Sequence, residues 1–193
     1  VMVSLEGSLS RSYDAITFGN VASGGTLTID TNASSNAADI SIGAIAAGVN
    51  DTITLKTGDN VANADITVSG AVSNNSNFQL INVGGTATFS DSVTAATFTA
   101  GNTVANIVFN GSSNTFQSTA SFSNDGALTF GNSTSDSFTF NGGLNTSAVG
   151  GTVTLNTSIS SSNDALTFGA VTLGNNVTID TNATNGTGDI TLA

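Results

Sequence analysis

The amino-acid sequence predicts an all-β fold, a right-handed parallel β-helix (β-solenoid), on three observations. Residues 1–43 recur at 151–193 without a gap, and 20 of the 43 paired positions are identical. A short core of apolar residue, Thr or Ser, apolar residue returns along the whole chain, mostly at intervals of 8 to 15 residues. The 193 residues include no Pro, so the backbone N–H groups are free to enter sheet ladders. Self-similarity on this scale marks structures that stack one unit on the next.

The cores follow in order as VSL at 3, ITF at 16, LTI at 27, ISI at 40, ITL at 53 and ITV at 66. FQL at 78, ATF at 87 and 96, IVF at 107 and ASF at 120 come next. LTF at 128, FTF at 138, VTL at 153, LTF at 166, VTI at 177 and ITL at 190 complete the series. Each is rich in β-branched and aromatic residues, alternates with period two, and is bounded by Gly, Asn, Asp or Ser, as half-buried strands are. No stretch shows a helical period of comparable quality. Cores at 3, 27, 53 and 78 mark coils of 24 to 26 residues. At the parallel-strand spacing, on the order of eight coils would span about 40 Å.

The duplicated segment keeps its apolar residues in register: Val3/Val153, Leu5/Leu155, Ile16/Leu166, Phe18/Phe168, Leu27/Val177, Ile29/Ile179, Ile40/Ile190 and Ile42/Leu192. The chain therefore reads as one continuous solenoid over 1–193, with 1–150 as one long unit and 151–193 as the start of the next. An antiparallel β-sandwich is the alternative, since it too uses regularly spaced strands. A sandwich would not resume its first strands in the same order and with the same loop lengths. Asn110-Gly111 and Asn185-Gly186 also sit in longer loops, not in two-residue hairpin turns.

In a solenoid the apolar positions point inward, among them Phe18, Ile29, Leu55, Phe89, Phe109, Phe130, Phe140, Leu155, Phe168 and Ile179. The central Thr residues, 17, 28, 54, 67, 88, 97, 129, 139, 154, 167, 178 and 191, then face out. Gly24-Gly25, Gly84-Gly85, Gly150-Gly151 and Asn175-Asn176 are expected at corners, supplying positive-φ bends.

Thirteen acidic residues against Lys56 and Arg11 give a net charge of −11. That balance excludes nucleic acid as a partner, because nothing offsets phosphate repulsion. It disfavours anionic membrane surfaces, and no apolar run approaches the ~20 residues of a spanning helix, so no membrane insertion is expected. There is no Cys and no His, which removes thiolate metal sites, disulfides and imidazole acid–base catalysis. No catalytic, cofactor-binding or metal site is expected, and the chain reads as non-enzymatic.

Acidic residues recur at matching places. Asp14, Asp39 and Asp65 lie at or beside the first apolar residue of a core, and Asp164 and Asp189 repeat two of them. Such recurrence reads as turn chemistry, a side-chain bond to the backbone. Asp30 and Asp180, inside IDTNA in both copies, read as solvated corner residues, with a weak oxygen-ligand site as the alternative. Neither a calcium nonapeptide nor an EF-hand loop occurs.

The surface feature with a sharper alternative is a set of Thr-x-Thr pairs: Thr26/Thr28, Thr52/Thr54, Thr86/Thr88, Thr97/Thr99 and Thr152/Thr154. They set two hydroxyl–methyl groups on one outward face per strand, a candidate surface-binding ladder for carbohydrate or ice. Thr is also simply a good exposed strand residue, and the pairs are irregularly spaced in sequence.

In phrases such as NDALTFGAVTLGNNVTIDTNATNGTGDITLA the chain resembles, throughout its length, the β-strand-repeat regions of large bacterial surface exoproteins. These are the filamentous-haemagglutinin-like adhesins and autotransporter passengers. The resemblance implies a right-handed β-helix, export across a Gram-negative envelope, and an extracellular or cell-surface role in adhesion, biofilm or fibre formation. The expected function is a structural repeat segment acting as a stiff stalk or self-associating filament. Expected partners are a head-to-tail copy or a continuing chain, and surface glycans.

Overall fold

The structure, a computed structural model, describes residues 2–11, 13–58, 61–182, 184 and 187–193. Among these residues there is no helix, and parallel strands stack into a β-solenoid of about 9 turns. Each turn has three faces, met in the same order along the chain. Hydrogen-bonded partners on successive coils lie 17 to 28 residues apart.

Face 1 holds the leading parts of four long strands, β1 (Met2–Ser10), β3 (Asn20–Asp30), β8 (Val72–Ile81) and β10 (Val93–Ala100). It is completed by β5 (Ile45–Ala46), β12 (Ser113–Phe116), β15 (Ser137–Phe140), β18 (Ser158–Ser161) and β21 (Ile179–Asp180). Face 2 holds the trailing parts of the same four long strands with β6 (Thr52–Lys56), β13 (Ala120–Phe122), β16 (Leu144–Asn145), β19 (Leu166–Phe168) and β22 (Ile190–Leu192). Face 3 is a separate sheet of β2 (Ile16–Thr17), β4 (Ile40–Ile42), β7 (Ile66–Val68), β9 (Val83–Phe89), β11 (Val104–Phe109), β14 (Leu128–Phe130), β17 (Val153–Leu155) and β20 (Val171–Leu173).

Parallel in-register pairing sets like side chains over like. On face 3 one inward column runs Ile16, Ile40, Ile66, Ala87, Ile107, Leu128, Val153 and Val171. Its neighbour runs Ile42, Val68, Phe89, Phe109, Phe130, Leu155 and Leu173. Rings in one column stack: Phe89 on Phe109 at 5.1 Å and 16°, Phe116 on Phe140 at 5.0 Å and 7°. Rings from different faces meet edge-on, as Phe89 meets Phe98 at 5.4 Å and 78°. Each buried side chain contributes about 1.5–3 kcal/mol before entropy, and ring pairs add to that. The middle coils are thus held by Phe and the outer ones by Ile, Leu and Val.

Eight of the ten interior positions read from sequence are buried; Phe18 and Ile179 are partly buried. Phe18 lies just past the end of β2, and Ile179 lies in the last turn, where it meets a coil on one side only.

The bends differ from expectation. Positive φ falls mostly on single Asn residues, Asn32, Asn50, Asn63, Asn82, Asn163 and Asn182, on the adjacent Asn74-Asn75, on Tyr13, and on Gly7, Gly58, Gly131 and Gly143. Gly24-Gly25, Gly84-Gly85, Gly150-Gly151 and Asn175-Asn176 are not among them. Gly24-Gly25 and Gly84-Gly85 lie inside β3 and β9. Gly150 and Gly151 are small because the coil below is in the way: an added Cβ would stand 2.5 Å from Asp125 O and 2.6 Å from Gly126 O.

The two copies of the duplicated segment occupy opposite ends of one column and not the same faces. Val3 pairs on face 1 and Val153 on face 3; Ile16 is on face 3 and Leu166 on face 2. Ile29 is on face 2 and Ile179 on face 1; Ile40 is on face 3 and Ile190 on face 2. The second copy is turned back by one face. Local turn chemistry survives the turn, since Asp30 Oδ1 accepts the Asn32 N–H at 2.7 Å and Asp180 Oδ1 accepts the Asn182 N–H at 2.8 Å.

Candidate functional site

The Thr-x-Thr pairs separate onto two faces. Thr26 and Thr28 lie on β3 and Thr52 and Thr54 on β6, so these four share face 2. Thr28 lies in an outward column that starts at Ser8 and continues through Thr54, Gln79, Thr99, Ser121, Asn145, Thr167 and Thr191. The flanking column sets Thr52 beside Asn77 and Asn77 beside Thr97, whose Oγ1 donates to Asn77 Oδ1 at 2.9 Å. Thr26, Gln79, Thr99 and Ser121 are exposed, whereas Thr54, pressed between Thr28 and Gln79, keeps only 8% of its surface.

Thr86 and Thr88 lie on β9 and Thr154 on β17, with Thr152 just before it, so these four share face 3. Their column runs Thr17, Ser41, Thr67, Thr88, Val108, Thr129, Thr154 and Thr172. Loops of unequal length absorb the irregular sequence spacing, so pairs uneven in sequence stand level with one another in space. The eight residues form two strips, not one array.

Sequence reasoning missed a set of cross-coil locks. Asn20 Oδ1 accepts the Ala44 N–H at 3.0 Å, Asp65 Oδ1 the Thr86 N–H at 2.6 Å, and Asn106 Oδ1 the Ala127 N–H at 2.9 Å. The residue before each donor is Gly43, Gly85 or Gly126, and a Cβ on any of them would fall on the same accepting oxygen. An Asn or Asp followed one coil later by Gly-x is the signal that points to such a lock. Asp39 Oδ1 makes the same kind of bond to the Asp65 N–H, at 2.9 Å. Asp39 and Asp65 thus bond across coils, not within their own turns as expected. The parallel stack brings the next coil's N–H directly above them.

Other polar side chains are also engaged in the fold, although Thr31 Oγ1, Asn75 Oδ1, Ser76 Oγ and Asn124 Oδ1 are buried without a hydrogen-bond partner. Asp30 Oδ2 meets Lys56 Nζ at 3.0 Å, while Arg11 and Asp14 form an exposed pair at 3.5 Å. Asn114, 1% exposed, interrupts the inward column of face 1: its Oδ1 accepts the Val93 N–H at 3.0 Å and its Nδ2 donates to Gly111 O at 2.7 Å. Among the described residues no cleft opens and no three acidic side chains converge on one point. Ten of the eleven Phe side chains are buried, so no row of rings is offered to a sugar. Asn185-Gly186 lies outside the described residues.

Comparison with protein-family models, with curated proteins and with solved structures gives no match. The arrangement displays hydroxyl and amide columns along two faces.

Proposed function

We propose that this chain is a structural repeat segment of an extracellular bacterial fibre or surface adhesin, serving as a stiff stalk. The observation that carries this reading is the continuity of the inward apolar columns of face 3 from β2 to β20, with no cleft among the described residues. Each coil templates the next through backbone bonds and stacked apolar residues, so length is set by coil number with no new folding information. A surface of Thr, Ser and Asn with few charges suits a stalk that must not adhere along its sides. Partners in this reading are an end-to-end copy or further chain, and glycans at a cell surface. Small-angle scattering on the chain tests the mechanical part: a rod on the order of 40 Å long is expected, and a spherical particle would refute it. Antibody labelling of intact producing cells tests the location, and signal only after lysis would exclude the surface.

A second reading, a carbohydrate- or ice-binding face, is favoured by one observation. Face 2 levels Thr26/Thr28, Thr52/Thr54 and Thr97/Thr99, with Asn77/Gln79 between them, into two short parallel columns. Ice-shaping and glycan-array assays separate the readings, since a stalk is inert in both.

A further inference from the structure

Tyr13 stands where a large side chain is disfavoured. Its φ is 70°, in the left-handed region that Gly and Asn tolerate and that a bulky residue enters only under strain. Every other non-Gly residue with positive φ, among the described residues, is Asn. The duplicated segment supplies the comparison, since Asn163 fills the same place in the second copy with a φ of 67°. The two turns are built alike: the Tyr13 N–H donates to Thr31 O at 3.3 Å and the Asn163 N–H to Thr181 O at 2.8 Å. Asn163 Oδ1 then accepts the Thr184 N–H at 2.7 Å, a bond that a phenol ring cannot supply. Tyr13 instead reaches across the next coil to Ser34, the counterpart of Thr184, whose hydroxyl donates to the Tyr13 Oη at 3.1 Å. Asn is thus sufficient to close this turn, and the first copy carries Tyr there under backbone strain.

Strain of this kind persists at sites that use it. The ring is 49% exposed, and it is the one exposed aromatic side chain among the described residues. Arg11, one of only two cations in the chain, stands where the second copy has the buried Ser161, and it lies in solvent 3.5 Å from Asp14 Oδ2. Ring, guanidinium, carboxylate and the Ser34 hydroxyl therefore share one corner, between faces 2 and 3. Its exposure does not depend on where the chain starts. The ring leans over the following coil, and Asn163, bonded to a coil on one side and next to Ser162, which bonds to the coil on the other, is itself only partly buried.

This set of groups has the chemistry of a sugar site. An exposed ring packs on the apolar C–H face of a pyranose, and planar guanidinium and carboxylate groups bond neighbouring hydroxyls. Arg11 and Asp14 cancel in charge, so within a chain of net charge −11 this corner suits an uncharged sugar and not a sulfated or sialylated one.

We propose that Tyr13, Arg11, Asp14 and Ser34 form a binding site for a neutral pyranose. The site gives the glycan partner a place on the stalk and so rests on that reading, but it is separate from the Thr strips of faces 2 and 3.

Tyr13 is the only Tyr and the chain has no Trp, so its phenol emission reports this corner alone. Titration of the chain with neutral glucose-, galactose- and mannose-based oligosaccharides should give a saturable change in that emission with at least one series. Arg11→Ala should weaken the binding by at least about tenfold while keeping the ring as reporter. Tyr13→Asn, the residue of the second copy, should abolish binding of the same sugars on a glycan array and raise the melting temperature by about 2–4 °C. A Tyr13→Asn chain that melts below the natural one would show that the ring is held for the fold. Sugar binding that survives Tyr13→Asn would belong to the Thr strips, and a response to charged glycans alone would refute the neutral class. No emission change with any sugar, or unaltered affinity in Arg11→Ala, would also overturn the site. All of these leave scattering and cell-surface labelling untouched, so the stalk reading is judged separately.

Discussion

Asp65 and Gly85 form a lock between successive coils: the Asp65 Oδ1 accepts the Thr86 N–H at 2.6 Å through the space that a side chain on Gly85 would fill. The same relation joins Asn20 to Gly43 and Asn106 to Gly126. Strand ladders hold the faces; these bonds hold the chain where a ladder begins, and they require an absent Cβ.

Gly85→Ala should therefore cost about 2–4 kcal/mol, combining overpacking with a weakened bond to a charged acceptor. Gly24→Ala and Gly101→Ala, whose added Cβ would meet nothing within 4 Å, should change stability little. Asp65→Ala in the Gly85→Ala background should recover only part of the loss, because Ala64 O also stands 2.9 Å from the new Cβ. Urea midpoints of the four variants check this, and equal midpoints for Gly85→Ala and Gly24→Ala would disprove the lock.

The strands were legible in the sequence because parallel stacking repeats its demands at every level. Leu27-Thr28-Ile29, Ile53-Thr54-Leu55 and Leu166-Thr167-Phe168 all share one face with their Thr outward. The face each core occupies was not legible. All three faces want the same apolar–hydroxyl–apolar pattern, so residues 1–43 and 151–193 match in sequence while sitting one face apart. The division of the Thr pairs between faces 2 and 3 was hidden for the same reason. Asn114 was missed because an amide in an apolar column is specified by its backbone partners, Val93 and Gly111, which only the folded chain brings to it.

Asn114→Val would restore an unbroken apolar column between Val93 and Phe138, yet it should destabilise. The Val93 N–H and Gly111 O would lose their side-chain partner in the interior, at a cost of about 2–4 kcal/mol for the two groups. Thermal unfolding of Asn114→Val and Asn114→Ala gives the test. A Val variant more stable than the natural chain would mean that packing, not hydrogen bonding, decides this position.

Phe98 touches the rings of Phe78, Phe89, Phe109, Phe116 and Phe122. Phe98→Ala should cost about 3–5 kcal/mol. Because a solenoid couples only neighbouring coils, the loss in the middle should also split one unfolding transition into two. Hydrogen exchange should show protection falling first around β8, β10 and β13, and a uniform fall across all coils would contradict nearest-neighbour coupling.

The identical run Thr28–Asn32 and Thr178–Asn182 tests whether turn chemistry or face position selects sequence. Asn32 and Asn182 have φ of 49° and 50°, and each donates its N–H to the Asp two residues before it. Left-handed backbone costs an ordinary side chain about 1–2 kcal/mol, and Gly almost nothing. Asn32→Ala should thus lower the melting temperature by about 2–4 °C per kcal/mol lost, while Asn32→Gly stays near the natural value. The same ordering, Gly above Ala, should hold at Asn182 although it lies on another face. If Ala and Gly were equivalent at both sites, the left-handed turn would not be what the two copies share.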